Sequence, residues 1–530
     1  MQFLINARIL TQNAKHPLTE ALAIEHGMII ATGSTEEILS IPCREKKIID
    51  LHQSTVLPGL VDSHIHLGQY ALSLSKIDCA TPTREECLRR VARAVQTTAA
   101  GTWLLGHGWD QNLWKEGFGN AALLDQLSTD HPIYLTIQSL HAAWVNSRAM
   151  EIANITAQTP DPPGGTIVRH ADGTPNGILL ESAVNLVEAK IPNPSPDEMS
   201  NMLLEAQEKL WRLGITGVHD FDNALTFQGI QILHQSQALK LRTLKNLRLE
   251  QFDAIEPLGL RPGFGDDMLR LGALKCFMDG AIGPHTAAML QPFTNSSSRG
   301  ELLYTEEALF EVYLKARKLG FAVATHAIGD QANQVVLNVI EKMRQYETNH
   351  YLKWGRYRIE HAQILHEDDI ARFHQLQVIA SMQPVHLPMD IHTTDTALIG
   401  RGKQSFLFKS LSTRKVPLVF GSDAPVADPN PFLGLHAAVT RSNPATEQSW
   451  HKEESINLKE ALAGYTVHPA YAAELENKSG KIYPGYFADL IVLEKDPFSL
   501  DPHDLKNCRA KATMVAGEWV FSDIHETVHG

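Results

Sequence analysis

The sequence predicts an α/β protein: a (β/α)8 barrel of the TIM type, with a small β-sandwich domain formed from both termini and a large insertion after the first barrel strand. Three observations support this fold class. Short apolar runs alternate with longer segments of helical periodicity through the middle of the chain. Both ends of the chain are rich in β-type runs and turn signals. The interval between the first two barrel strands is too long for a single crossover helix. A doubly wound open sheet is the alternative.

The small domain is predicted from residues 1–57 and 476–530. Near the N-terminus, FLINARIL and ALAIEHGMIIATGS alternate apolar runs with turn residues, and near the C-terminus KIYPGYFADLIVLEKDP and RAKATMVAGEWVFSD do the same. Because these β-rich segments bracket the chain, we expect them to assemble into one composite sheet domain.

The barrel is predicted over residues 58–475. Segments such as SPDEMSNMLLEAQEKLWRL and TEEALFEVYLKARKLG have helical periodicity and separate the strands. Pro58 and Gly59 interrupt the first strand and mark the passage from the small domain into the barrel. The eight candidate strands are TVLPGLVDSHIH, ITGVHD, TLKNLRLEQF, GALKCFMDG, FAVATHAIGD, YRIEHAQ, QVIASMQP and PLVFGSDAPV.

Residues 80–210 are predicted to be largely an inserted subdomain. The stretch TPDPPGGTIVRHADGTPNG within it is rich in proline and glycine and indicates loops and hairpins. Insertions that follow a barrel strand lie above the carboxyl-terminal face of the barrel, where barrel enzymes work. We therefore expect this insertion to cover or wall the functional site.

Composition argues against two classes of main partner. The 530 residues are 43% hydrophobic and 20% charged, with a formal net charge of -13, which is typical of a soluble globular protein. The sequence has no Lys/Arg-rich cluster, so we do not expect nucleic acid or a membrane as the partner. We expect a small-molecule substrate instead. The N-terminus does not have the pattern of a signal peptide. Five scattered cysteines without a CxxC pair favour a reducing, cytoplasmic location.

Polar residues fall at the ends of the predicted strands. A single histidine at a strand end is more often a structural residue than a ligand, but that explanation accounts poorly for a whole set of such ends. The carboxyl ends of barrel strands meet at one mouth, so residues far apart in sequence become neighbours there. The set comprises His64, His66, His219, Asp220, Lys275, Asp279, His326, His361 and Asp423.

The spacing His64-x-His66 indicates a metal site. Side chains alternate along a strand with period two, so both imidazoles share one face and can reach one ion. Imidazole nitrogens together with a carboxylate form a donor set suited to zinc, with iron, manganese or nickel as alternatives. An HxH pair alone is a weak signal; the pair combined with His326, His361 and Asp423 is a strong one.

The same residues lie in motifs that resemble the amidohydrolase superfamily, in its amidohydrolase family 3 branch, which includes enzymes similar to N-substituted formamide deformylase. The resemblance extends over almost the whole chain and is specific for the family but not for the substrate. The motifs that carry it are LPGLVDSHIHLG, GHGWDQNLW, HAAWVNSRAM, DPPGGTIVRHADGTPNGILLESA, GITGVHD, LKCFMDGAIGPHTAAM, ATHAIGDQAN, RIEHAQ, FGSDAPV and GKIYPGYFADLIVLEKDP.

The resemblance implies a role for each ligand. His64, His66 and Asp423 would bind the more buried metal, and His326 and His361 would bind a second. Lys275 would bridge the two ions after carbamylation by CO2, since a lysine ammonium cannot ligate a cation. The alternative is an unmodified Lys275 that pairs with Asp279 or binds the substrate, with a single ion. The cofactor is thus one or two divalent metals per chain, zinc first.

The function expected from this site is metal-dependent hydrolysis of a C–N bond other than a peptide bond, in a small molecule such as an N-acyl or N-formyl amine or a cyclic amide. Asp423 would act as the general base and then the general acid. The alternatives are deamination, ester hydrolysis or decarboxylation, or a non-catalytic binding barrel. A non-catalytic barrel would be expected to lose Asp423 or an HxH histidine, and this chain retains them. Such barrels commonly dimerise, so a homodimer is the expected assembly.

Other polar or aromatic positions are weaker candidates for substrate binding. Each has a structural alternative: second-layer hydrogen bonding for His219, lid packing for Trp109 and Trp114, and helix capping for Asp330. The substrate-binding candidates are Trp109, His141, His219, Asp279 and His285.

Overall fold

The computed structural model describes residues 1–111, 113–137 and 141–524. Residues 112 and 138–140 of the predicted insertion, and 525–530 of the predicted composite domain, lie outside them. The chain divides into two compact units. The larger consists of Met1–Tyr70 together with the chain from Pro196 onward, and the smaller of Ala71–Ser195.

A parallel eight-stranded sheet forms the centre of the larger unit. It nearly closes into a barrel, because the backbone N–H of Asp423 donates to the His64 carbonyl at 2.7 Å and that of His66 donates to the Ala424 carbonyl at 3.0 Å, joining strands 1 and 8. The predicted barrel is confirmed. In spatial order, strands 1 to 8 are Leu60–Ile65, Ile215–Asp220, Arg242–Arg248, Leu269–Phe277, Val323–Ala327, Arg358–His361, Ile379–Met382 and Leu418–Phe420.

Helices follow the strands in alternation, as predicted. Helix Glu306–Lys318 illustrates why they form: Thr305 accepts a hydrogen bond from the Ala308 backbone, with acidic residues in the first turn and basic residues in the last, as the helix dipole favours. The helices of this unit beyond the small domain are Leu67–Leu74, which extends past Tyr70, Pro196–Arg212, Ala224–Gln235, Phe252–Leu258, Glu306–Lys318, Asp330–Asn349, Glu367–Gln375, Leu387–Ala397, Phe408–Thr413, Pro431–Thr440, Leu458–Tyr465 and Val467–Ala472.

The first predicted strand is two strands in the structure. Thr55–Pro58 pairs with Leu490–Leu493 in a separate sheet, and Leu60–Ile65 enters the barrel. The break falls at Gly59, where a Cβ atom would lie 2.1 Å from Thr216 Oγ1. Glycine therefore allows the chain to pass between the two sheets at a point where a side chain would not fit.

Strands from both ends of the chain form the small sheet domain of the larger unit. One sheet has four strands and the other six, and buried residues of both, including Leu4, Ile24, Val56 and Val492, share one apolar cluster. In spatial order, the strands of the four-stranded sheet are Met28–Gly33, Ala21–Glu25, Gln2–Ile5 and Lys47–Asp50. Those of the six-stranded sheet are Glu518–Ser522, Ala510–Val515, Leu490–Leu493, Thr55–Pro58, Arg8–Leu10 and Leu18–Thr19. A short helix, Thr35–Leu39, packs on the four-stranded sheet.

The smaller unit, Ala71–Ser195, has its own mixed six-stranded sheet. Its bounds differ from the predicted 80–210, because helix Pro196–Arg212 belongs to the larger unit. In spatial order its strands are Gly165–Arg169, Pro175–Glu181, Ala142–Val145, Ile133–Ile137, Leu104–Trp109 and Ile77–Asp78; its helices are Arg84–Thr97, Ala121–Asp125, Ser147–Ile152 and Asn185–Glu188.

Within the described ranges, no helix has both the length and the apolar character needed to span a membrane.

Candidate metal centre

Three predicted ligands converge at the carboxyl end of the barrel. One donor atom from each of His64, His66 and Asp423 lies within 4.8 Å of the others. Asp423 Oδ1 is 3.7 Å from His64 Nε2 and 3.2 Å from His66 Nε2. His64 lies in strand 1, His66 follows that strand directly and Asp423 follows strand 8, so barrel closure brings the three together.

His64 is held by a buried carboxylate. Its Nδ1 donates to Glu360 Oε2 at 2.7 Å, which leaves Nε2 facing Asp423. The ring also stacks on Phe221, with 4.4 Å between centroids. Burial, together with the charge of Lys275, lowers the pKa of His64 to about 4. The imidazole is therefore neutral near pH 7, with an unprotonated nitrogen available to an ion.

His66 and Asp423 form the more accessible part of the centre. The side chain of His66 is 23% exposed, and its Nδ1 lies 3.6 Å from Asp222 Oδ1. Burial alone would lower the pKa of His66, but hydrogen bonds with Asp222 and Asp423 raise it to about 9. Burial would raise the pKa of Asp423, but the hydrogen bond with His66 and the nearby His64 and His361 hold it well below its ordinary range. Asp423 is thus a carboxylate.

A second pair of histidines adjoins these three residues. The rings of His326 and His361 lie 4.5 Å apart, and those of His361 and His64 lie 5.2 Å apart. His326 Nε2 donates to the Gly280 carbonyl at 3.1 Å. Burial lowers the pKa of His326 to about 3 and that of His361 well below its ordinary value, so both are neutral near pH 7.

Lys275 lies buried beside the histidines. Its Nζ sits over the rings of Phe221 and Phe277, at 4.7 and 5.0 Å from their centroids, and no carboxylate in the described ranges lies within 4.0 Å of it. Burial lowers the pKa of Lys275 to about 8. The alternative pairing with Asp279 does not occur, since the Asp279 oxygens accept from the backbone N–H groups of Ala288, Ile328 and Gly329.

The backbone at two ligand positions is left-handed. His361 has φ of 71° and Asp423 has φ of 59°, values that favour glycine over residues with a side chain. Asp62 stabilises the backbone next to Asp423, because its Oδ1 accepts from the backbone N–H groups of His64 and Ser422 at 3.1 and 3.0 Å. Strained backbone of this kind is concentrated at functional sites in proteins.

The weaker candidates in the barrel form hydrogen bonds, ion pairs or ring contacts with residues around the predicted metal-binding side chains. His219 is buried and its Nδ1 accepts from Arg358 at 2.8 Å. Asp279 Oδ1 lies 3.7 Å from His326 Nε2. His285 is partly buried and stacks on Phe293, with 4.5 Å between centroids. Asp220 pairs with the buried Lys245.

In the smaller unit, Trp109 and Trp114 are buried in an apolar cluster, and Trp109 Nε1 donates to the Leu135 carbonyl at 2.8 Å. Packing therefore accounts for the positions of both tryptophans, and substrate binding by Trp109 stays a prediction. His141 is exposed and pairs with Glu181 at 2.8 Å. Asp330, in the larger unit, is the first residue of helix Asp330–Asn349. Its Oδ1 also accepts from the Leu290 backbone N–H at 2.7 Å.

Several residues of the centre were not predicted from the sequence. Glu360 and Arg358 form a buried pair inside strand 6, with Arg358 Nε 2.8 Å from Glu360 Oε1. Two charged residues at period-two spacing in the apolar run YRIEHA were the available signal. Asp222, Asp62 and His386 gave no comparable signal, because their roles depend on contacts across strands. His386 Nε2 donates to the Ser422 carbonyl at 3.0 Å.

The donor set fits a divalent ion such as zinc. His64 and His66 supply imidazole nitrogens, Asp423 supplies carboxylate oxygens, and Glu360 holds His64 in the orientation seen in carboxylate–histidine–metal arrangements. His326 and His361, which the sequence predicts as ligands of a second ion, lie beside this three-residue group. His64, His326 and His361 are neutral near pH 7, so each keeps one unprotonated nitrogen for an ion, whereas His66, whose pKa Asp222 and Asp423 raise to about 9, would release its proton when an ion binds.

Comparisons with known proteins identify the family of this chain. Residues 47–521 match the amidohydrolase family. The chain is 31% identical to Protein LONG AFTER FAR-RED 3 of Arabidopsis thaliana, over 97% of this chain and 91% of that one. It is 26% identical to N-substituted formamide deformylase of Arthrobacter pascens, over 97% of each chain. A crystal structure of an uncharacterized metal-dependent hydrolase from Pyrococcus furiosus matches with a TM-score of 0.80 and 27% identity, over 94% of this chain and 100% of that one. The predicted resemblance is confirmed, and the chain is a member of the amidohydrolase family of metal-dependent hydrolases.

Proposed function

We propose that the protein hydrolyses a C–N bond other than a peptide bond in a small molecule, with N-acyl or N-formyl amines and cyclic amides as the substrate class. The observation that carries the proposal is the convergence of His64, His66 and Asp423 within 4.8 Å at the carboxyl end of the barrel. Membership of the amidohydrolase family supports hydrolysis as the reaction type.

Zinc is the ion we propose, with one or two ions per chain. His64, His66 and Asp423 would hold the first, and His326 and His361 the second. When bound, a divalent ion polarises the carbonyl of the substrate and lowers the pKa of water.

Asp423 is proposed to move the proton. As a carboxylate it can take a proton from the attacking water on an Oδ atom and deliver the proton to the nitrogen of the leaving amine. Its position is fixed by the backbone bond to the His64 carbonyl and by the side chain of His66. One residue can therefore act in both proton-transfer steps without a change of backbone conformation.

Lys275 is proposed to carry a carbamate. Its buried Nζ has aromatic neighbours and no carboxylate in the described chain at ion-pair distance, so an unmodified ammonium would be poorly compensated there. Addition of CO2 to the amine forms an N–C bond, releases one proton and leaves a carboxylate that can ligate cations. A 13C signal incorporated from labelled bicarbonate, and absent in Lys275→Met, would test this directly.

A substrate panel tests the function. Zinc-loaded protein is offered an N-formyl amine, an N-acetyl amine, a cyclic amide, an ester and an aminated heterocycle of similar size, and the products are identified by mass spectrometry. We expect turnover of at least one of the three amide types, with release of the amine or ring opening. Turnover of the heterocycle alone, with release of ammonia, would instead identify a deaminase, and turnover of the ester alone an esterase.

Metal analysis of the purified protein tests the cofactor. We expect one to two equivalents of zinc-like metal per chain. A fully active preparation without metal would contradict the whole scheme.

A further inference from the structure

A cavity of about 230 Å3 lies at the amino-terminal ends of barrel strands 3 to 6, the opposite end of the barrel from the metal centre. Small residues leave this space open: its lining includes four glycines and four alanines, which are Gly263, Gly272, Gly320, Gly355, Ala273, Ala322, Ala472 and Ala473. One water molecule occupies about 30 Å3 in the liquid, so a polyatomic ligand fits.

The charged residues that line the cavity are mostly cationic, although the chain as a whole has a net charge of -13. One carboxylate, Glu474, lines it. Three of the cations are already paired: Arg317 with Glu347 at 2.7 Å, Arg356 with Glu476 at 2.6 Å and Arg358 with Glu360 at 2.8 Å. The cationic lining residues are Arg270, Arg317, Lys353, Arg356 and Arg358.

Arg270 is the cation that its surroundings leave uncompensated. Its Nε is buried and has no hydrogen-bond partner among the residues that the structure describes. No carboxylate lies within 4.0 Å of its guanidinium in the part of the chain that the structure describes. Asp267, which borders a smaller cavity on the other side of Arg270, pairs instead with Lys478 at 3.4 Å.

The chain conformation beside Arg270 places its guanidinium at the cavity wall. Gly263 has φ of 78°, and a Cβ atom there would lie 3.0 Å from Arg270 Nη2. The loop backbone therefore packs against this guanidinium at a position where a side chain would crowd it. Lys353, from the loop before strand 6, lines the same cavity as a second cation; no carboxylate of the described chain lies within 4.0 Å of its ammonium, although its charge acts on Glu476.

We propose that this cavity binds a small oxyanion with two negative charges, a phosphate group or a dicarboxylate, with Arg270 as the principal ligand and Lys353 as the second. The planar guanidinium donates two parallel hydrogen bonds to a pair of oxygens, and the ammonium supplies a point charge. The anion would supply the negative charge that no carboxylate in the described ranges provides within 4.0 Å of Arg270. The site is separate from the metal centre and does not depend on the substrate class proposed above.

Isothermal titration of the zinc-loaded protein with inorganic phosphate, and separately with succinate, tests the proposal at constant ionic strength. We expect saturable binding of at least one of the two anions, and the pair of titrations identifies which chemistry is preferred. Arg270→Gln should weaken that binding by about tenfold or more, since a charged hydrogen-bond donor is lost. The matched control is Arg261→Gln, an exposed arginine in the same loop, which should bind as the wild type does.

Phosphate can also bind a metal ion directly, and the comparison between variants separates the two sites. Binding at the metal centre would be equal in Arg270→Gln and in the wild type, and that result would overturn the proposal, as would the absence of saturable binding for both anions. If Arg270→Gln does not fold, Lys353→Met replaces it, and an unchanged affinity in Lys353→Met would equally reject the site.

Discussion

Replacement of Glu360 by glutamine tests how the metal centre is held together. Glu360 is fully buried and accepts from His64 Nδ1 at 2.7 Å and from Arg358 Nη2 at 3.1 Å. Glutamine keeps the size of the side chain but removes the charge that compensates Arg358. Removing one partner of a buried ion pair costs about 3–5 kcal/mol, and losing the support of a ligating histidine lowers metal affinity about 10- to 100-fold. Because the amide oxygen can still accept from His64, we expect the smaller of these losses, about 10-fold in metal affinity.

Two assays measure these effects. Urea denaturation gives the change in the free energy of unfolding, and competition with a chromophoric chelator gives the zinc affinity. The matched control is Glu181→Gln, which removes the charge from a histidine–carboxylate contact of nearly the same length, 2.8 Å to His141, but on the surface. Exposed pairs contribute about 0–1 kcal/mol, so this variant should differ little from the wild type. Equal stability and equal zinc affinity in Glu360→Gln and Glu181→Gln would refute the reasoning.

Three further predictions concern other parts of the molecule. Asp423→Asn should lower kcat at least about a hundredfold, because the variant lacks the proton-transferring carboxylate, while its melting temperature stays close to that of the wild type. The control is Asp428→Asn, at an exposed neighbouring position. Full activity in Asp423→Asn would contradict the role assigned to Asp423. Gly421→Ala should destabilise the fold by about 1–3 kcal/mol and lower the amount of zinc bound per chain, since its Cβ would lie 2.4 Å from the His64 backbone nitrogen. The control is Gly283→Ala, where no atom lies within 4 Å of the added Cβ and where neither stability nor bound zinc should change. The hydrogen bond from Arg356 holds the pKa of Glu476 below its ordinary value, so this pair stabilises the fold above about pH 4.3 and the contribution is lost as the pH falls through the lower folded pKa. Urea midpoints measured against pH should therefore fall less steeply on the acidic side in Glu476→Gln, and an unchanged slope would argue against the pair.

The barrel was predictable because its signals are local. Runs such as FAVATHAIGD and QVIASMQP have the length and β-branched content of buried strands, and Glu306–Lys318 carries a cap and charges that define a helix by themselves. Their order along the chain then leaves few topologies. The break at Gly59 is different in kind, because the need for glycine there comes from Thr216 on the neighbouring strand.

The ligand set was predictable for a similar reason. His64, His66, His326, His361 and Asp423 each end an apolar run, and a barrel brings such ends together. The residues that hold them were harder to identify. Asp62 reaches Ser422 across 360 positions of sequence, and Glu360 reaches His64 across 296. No local pattern records such contacts.

The sequence by itself determined the fold class and the residues available to bind a metal, because strand periodicity and the polar strand ends are properties of neighbouring residues. Only the tertiary structure decided which donors face one another, which imidazoles are neutral and which cations lack partners. Those properties depend on burial and on distances between strands: within the described chain no carboxylate lies within 4.0 Å of the Arg270 guanidinium, and Glu360 accepts from His64, because of the residues that surround each of them in space.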